Sequence, residues 1–149
     1  MPDTTNLAGA LAILRARAEA QITLLSADML KWERSYDLPD SPAPFVYFEL
    51  TTRPGRMVGY GSGRGANLYR YSCELDCFVF VPETWGQDET VRYGEHVANA
   101  FRSYRNGGVS CFDATPRQLT SADGFIPSGD AVNYNCCLVS VTLHFDQVG

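Results

Sequence analysis

Leu68 to Val81 reads as one long strand with period-two alternation. Odd positions hold Tyr69, Tyr71, Cys73, Leu75, Cys77, Val79 and Val81, and even positions include Arg70, Ser72, Glu74 and Asp76. A period of two marks a strand with one dry face and one wet face. Such a strand needs a layer over its dry face. Pro82 ends it, because proline has no N–H for a ladder. A second long strand is predicted over Val132–Phe145, with Cys137, Val139, Val141, Leu143 and Phe145 on one face and Ser140, Thr142 and His144 on the other. Phe45–Thr52, rich in aromatic and β-branched residues, predicts a third strand. Val109–Phe112 and Arg117–Thr120 predict short edge strands.

Two helices supply the cover. Leu7, Leu11, Leu14 and Ala18 recur at helical spacing, Asn6 is a fitting cap, and the helix is predicted to run to about Gln21. A second is predicted from an Asp88 cap through about Tyr104, with Glu89 in its first turn. Val91, Val97, Ala98, Ala100, Phe101 and Tyr104 are its expected inner face, and Asn106-Gly-Gly108 its expected stop. Ile22–Leu25 reads as a short extended piece, and Asp37 to Pro44 as a loop. The order predicts a single α+β domain over residues 1–149. It is a two-layer domain with a mostly antiparallel sheet and both helices packed on one face. A chain of 149 residues has room for one such core.

Charge is unevenly spread along this frame. Residues 1–52 carry four basic and seven acidic side chains (4 − 7 = −3), residues 53–72 four arginines and no acid (+4), and residues 73–149 four arginines and ten acids (4 − 10 = −6), which sums to the net −5. The basic island, Arg53-Pro-Gly-Arg-Met-Val-Gly-Tyr-Gly-Ser-Gly-Arg-Gly-Ala66, is also glycine-rich. Ordering so many glycines costs backbone entropy, so residues 53–67 are predicted to be a flexible basic arm between strands.

Several chemistries are disfavoured. A net −5 argues against a surface coated by nucleic acid, which needs a surplus of Lys and Arg. No apolar run reaches the ~20 residues of a membrane span. The start, Met-Pro-Asp-Thr-Thr, lacks the basic-then-apolar pattern of a signal peptide. Five cysteines, an odd number, are then expected to be reduced thiols in a protein made in the cytoplasm. Cys73 and Cys77, four residues apart on a strand, lie roughly 13 Å apart, too far to share a metal. Cys136 and Cys137 point to opposite faces, and no metal or cofactor is expected. His96 and His144 sit in no catalytic signature and read as structural. Gly61-Ser-Gly-Arg-Gly-Ala66 fits G-x-G-x-x-A, but a strand rather than a helix follows it, which disfavours a dinucleotide site. Glu74 and Asp76 share one strand face roughly 7 Å apart, a spacing compatible with glycoside hydrolysis. A solvated face, or the wall of an acidic channel, is the simpler expectation.

An ordered set of motifs goes further. Pro42-Ala-Pro-Phe-Val-Tyr-Phe48, the Gly61–Tyr71 stretch, Phe78-Val-Phe-Val-Pro82, the helix ending Val97-Ala-Asn-Ala-Phe-Arg102 and the closing Val139-Ser-Val-Thr-Leu-His-Phe-Asp146 follow one another. Over roughly residues 43–146 the chain resembles the small tail terminator (tail completion) proteins of long-tailed bacteriophages and gene transfer agents. The resemblance implies a non-enzymatic virion structural protein, assembled in the host cytoplasm. Its expected form is a homo-oligomeric ring, hexameric in the family, at the head-proximal end of the tail. The expected partners are the tail tube protein and a neck or head–tail connector protein. DNA would pass through the bore without specific binding, and no membrane is involved. Within that expectation Arg53, Arg56, Met57, Tyr60 and Arg64 of the arm contact a neighbouring subunit or the tube. Glu74 and Asp76 are candidate channel lining. Alternatives are another neck or adaptor ring component, or a small hydrolase using Glu74 and Asp76.

Overall fold

The computed structural model describes residues 4–39, 41–59, 61, 65–119 and 133–149. Among them are two α-helices, α1 (Leu7–Gln21) and α2 (Gln87–Phe101), and strands β1 (Leu30–Lys31), β2 (Phe45–Thr52), β3 (Arg56–Gly59), β4 (Leu68–Pro82), β5 (Arg105–Asn106), β6 (Val109–Gln118) and β7 (Tyr134–Val148). The strands form one sheet in the order β1-β2-β4-β7-β6-β5, with β3 also pairing β4. Every pair is antiparallel except β1 with β2. The chain is an α+β two-layer domain, as the alternation predicts.

β4 and β7 pair along their whole length, from Leu68 opposite Val148 to Pro82 opposite Tyr134. Their dry faces meet the helices. Leu75, Cys77, Val79 and Val81 of β4 and Cys137, Val139, Val141, Leu143 and Phe145 of β7 are buried in one cluster with Ala10, Leu14 and Ala18 of α1 and Val97, Ala98 and Phe101 of α2. Burying so many side chains, at about 1.5–3 kcal/mol each, is what holds the layers together. Asn6 caps α1: its side-chain oxygen accepts from Gly9 N at 2.7 Å.

Several expectations are corrected. The arm predicted over 53–67 contains a strand. β2 continues past Thr52, opposite Cys73, into β3, where Arg56 lies opposite Arg70. Three residues of the β2–β3 run thus oppose two of β4, a bulge at Pro54–Gly55. Ladder bonds to the first residues of β4 offset the glycine entropy that argued for a loop. Ile22–Leu25 is a turn rather than an extended piece, and the strand comes later, at Leu30–Lys31. The predicted pair of edge strands is one strand, β6, irregular between Cys111 and Ala114, and the part of the second beyond Leu119 lies outside the described residues.

α2 starts from Gly86 rather than an Asp88 cap and stops at Phe101, because Ser103 adopts φ 58°. The Gly107–Gly108 pair instead makes the β5–β6 hairpin, where both residues need positive φ (58° and 90°). Val91 is exposed, not inward. The last strand begins at Tyr134 and runs on to Val148, and Val132 lies outside the described residues.

The second sheet face is not uniformly wet. Phe80, Phe45, Tyr134 and Cys136 form a separate buried cluster there, with Met29, Tyr36, Leu38, Tyr47 and Phe78 against it. The Phe45 and Phe80 rings stack at 4.8 Å, and Tyr134 meets Phe45 edge-on at 5.2 Å. The segment around Tyr36 and Leu38 therefore crosses the open face at one end and leaves the middle of that face to polar side chains.

Candidate functional site

In the uncovered middle of the sheet, alternation sends Glu74 and Asp76 outward because Cys73, Leu75 and Cys77 go inward. Register adds a third acid that the sequence pattern does not reveal. Glu49 of β2 stands directly opposite Asp76, and Thr51 opposite Glu74. On the other side Ser140 faces Asp76 and Thr142 faces Glu74. Ser140 Oγ donates to Asp76 Oδ1 at 3.3 Å. Arg34 Nη2 reaches Glu49 Oε1 at 2.9 Å, but Arg34 is 85% exposed, so the pair is weak.

Partial burial raises the Asp76 carboxyl above its ordinary range, and Glu74 and Glu49 raise it further, while the Ser140 bond opposes the shift. Three carboxylates on two adjacent strands, answered by one exposed arginine, make a patch of negative potential. Such a patch repels phosphate and attracts cations. The upward direction is also the one a general acid would need.

The arm residues divide. Arg53 is exposed, and its N–H donates to Ser72 O at 3.0 Å, which ties the bulge to β4. Arg56 and Met57 lie on β3 and are exposed, Met57 by 42%. Tyr60 and Arg64 lie outside the described residues. The strands bring Arg53, Arg56 and Met57 together at one end of the sheet and leave Glu74 and Asp76 in its middle, so these are two sites and not one. Arg70, the fourth arginine of the basic island, is already engaged. It holds nearly buried Asp146 through two bonds, at 2.8 and 3.0 Å.

Both histidines make contacts within the fold. His96 Nε2 accepts from the N–H groups of Thr23 at 3.1 Å and Leu24 at 3.4 Å, closing the turn after α1. His144 packs beside Phe112 at 4.9 Å. Burial, and in second place a neighbouring arginine, pushes both imidazoles below their ordinary range. All five cysteines are free and buried. Burial drives the Cys111 thiol up to about 11 and Cys136 up to about 12, far from thiolate reactivity. Cys136 and Cys137 do point to opposite faces, one into each apolar cluster. Among the described residues no three His, Cys, Asp or Glu side chains converge as metal ligands. No helix among them is long and apolar enough to cross a membrane.

Comparison with known proteins places the fold and nothing finer. No protein-family model matches the chain. No curated protein matches it either. A solved structure, of a protein whose designation carries no function, superposes with a TM-score of 0.52 at 13% identity, covering 91% of this chain and 94% of its own. At that identity the likeness speaks for a shared fold, and function must be argued from the site.

Proposed function

We propose that this chain is a structural virion subunit of the tail terminator type. Copies would form a ring at the head-proximal end of a tail tube, stop its growth and offer a surface to the neck. The reading starts from the ordered sequence motifs. The observation that carries it in the structure is the acidic row Glu49, Glu74 and Asp76 on an open sheet face. Like charges directly opposite across strands destabilise a sheet. A chain keeps such a cost where function uses it. A channel wall that DNA slides past without sticking is such a use, since fixed carboxylates repel phosphate at short range.

One observation favours a second reading. A carboxyl raised by burial and by neighbouring acids also suits a hydrolase acid, with Glu74 beside it. Particles assembled without this chain, imaged by negative-stain electron microscopy, separate the two. Overlong, headless tails of variable length are expected for a terminator. Normal tails on filled heads would remove the terminator reading. Tails of normal length that fail to join heads would point to a neck adaptor ring instead. Loss of a hydrolytic turnover on Glu74→Gln would favour the enzyme.

A further inference from the structure

The two ends of β4 carry surfaces of opposite character. Beside its first residues lies β3, which pairs with β4 alone among the described strands and leaves its outer edge open. Residues 53–59 hold two arginines, Arg53 and Arg56, and no acid. Neither arginine makes an ion pair among the described residues. Met57 and Val58 next to them are exposed by 42% and 38%.

Past the other end of β4 comes the 3₁₀ turn Glu83–Trp85 and the start of α2. Residues 83–95 hold four acids, Glu83, Asp88, Glu89 and Glu95, against Arg92, a net of 1 − 4 = −3. Arg92 is taken by Glu89 at 2.9 Å, which leaves Glu83 and Asp88 without an ion pair among the described residues. Trp85 is 45% exposed, its ring resting near Tyr93 at 6.2 Å.

We infer that the β3 edge of one copy docks on the Trp85 corner of a second copy, Met57 covering Trp85 while Arg53 and Arg56 reach Glu83 and Asp88. This goes a step deeper than the ring reading, on which it rests only in taking the occupant to be this same chain. Three features select that occupant. The free charges are opposite in sign. Each patch presents an exposed large apolar side chain of the kind enriched at interface centres. The patches sit at opposite ends of a 15-residue strand, up to roughly 46 Å apart if it ran straight, so they cannot meet within one copy. Two different surfaces joined in this way make a head-to-tail contact, the kind that closes into a ring when the rotation allows.

The test uses the full chain, whose native cysteines are all buried. Met57→Cys and Glu83→Cys copies, mixed and treated with a short bis-maleimide, are expected to crosslink to each other several-fold more than either does to itself. Predominant Met57→Cys self-crosslinking would mean a two-fold contact, and absence of any crosslink at high protein concentration would mean no contact. Either result overturns the inference.

Charge reversal gives an independent readout. Arg53→Glu with Arg56→Glu should weaken self-association, measured by sedimentation velocity, by about tenfold or more. Adding Glu83→Arg and Asp88→Arg should restore it. All four positions are exposed, so far-UV circular dichroism should stay unchanged. A crosslink together with normal tails in cells lacking the chain would keep the contact and remove the tail reading. Overlong tails with no crosslink would do the reverse.

Discussion

At Gly94 α2 packs closely on β7. This residue lies mid-way along α2, where glycine is a poor helix former, worth about 1 kcal/mol less than alanine. A surface Gly→Ala change in a helix would therefore stabilise. Here the added Cβ would stand well inside van der Waals contact with Cys137 Sγ and 3.2 Å from its Cβ. Cys137 is on β7, in the middle of the sheet, and is 1% exposed, so neither partner has free space to yield. Overpacking a filled core costs about 1–3 kcal/mol. So short a contact belongs in the upper part of that range, about 2–3 kcal/mol, so against the propensity gain Gly94→Ala should lose about 1–2 kcal/mol net, or a few degrees in Tm for a domain of this size. Cys137→Ala removes the sulfur and leaves only the tight Cβ contact. In that background Gly94→Ala should be close to neutral, giving a coupling of about 1–2 kcal/mol between the two sites. Urea unfolding followed by circular dichroism, on the wild type, both single variants and the double variant, measures this directly. Equal costs in the two backgrounds, or a stabilising Gly94→Ala in the wild type, would refute the close approach of α2 to β7.

Two further outcomes follow from titration. Asp76 has a raised folded pKa, so its contribution to stability is full in acid, below the ordinary carboxylate value, and is lost as pH rises through the folded value. Asp76→Asn should therefore stabilise the domain by about 0.5 kcal/mol at neutral pH and by nothing in strong acid, read from urea midpoints at both pH values. A clear loss at neutral pH would mean that the Ser140 bond outweighs the repulsion. His96 has a lowered folded pKa, and its neutral Nε2 accepts two backbone N–H groups. Its stabilisation is present above the ordinary histidine pKa of 6.5 and is lost as pH falls through the folded value. His96→Gln should flatten the fall in Tm between pH 7.5 and 5.5, and an unchanged slope would mean that His96 does not carry it.

Local pattern was legible where it is enforced locally. Phe45–Thr52 and the bulk of β4 and β7 announce themselves because each side chain must choose a face, and the core decides which. Asn6 was legible because an N-cap needs only its own next turn. The misses share a cause: each depends on a partner far along the chain. Gly107–Gly108 fits a helix stop as well as a hairpin, and φ 58° at Ser103 settles the matter earlier. β3 forms because β4 offers an edge to glycine-rich residues that have no preference of their own. The break in β6 is held by Asp113, whose carboxylate accepts from Ala114 N–H and the Thr115 hydroxyl, both at 2.9 Å. At the candidate site, two carboxylates were visible as neighbours on one strand. The third, Glu49, needed the register of β2 against β4, which no single segment encodes.

In the proposed ring, that register links the core to assembly. β4 carries two acids of the row in its middle, the β3 edge at its start and the Trp85 corner just past its end. A slip by one residue would bury Glu74 and Asp76 and expose Leu75 and Cys77, so the same alternation that makes the core also sets which face is acidic. A ring makes a second demand, because it closes only if every contact turns by the same angle. The two proposed docking ends would then have to be held at a fixed distance and twist. Fifteen consecutive pairs between β4 and β7, with α2 packed across them, hold these ends far more firmly than a loop between them would. On this reasoning a substitution that loosens the β4–β7 ladder without unfolding the chain should spread the curvature of the assemblies before it abolishes the pairwise contact.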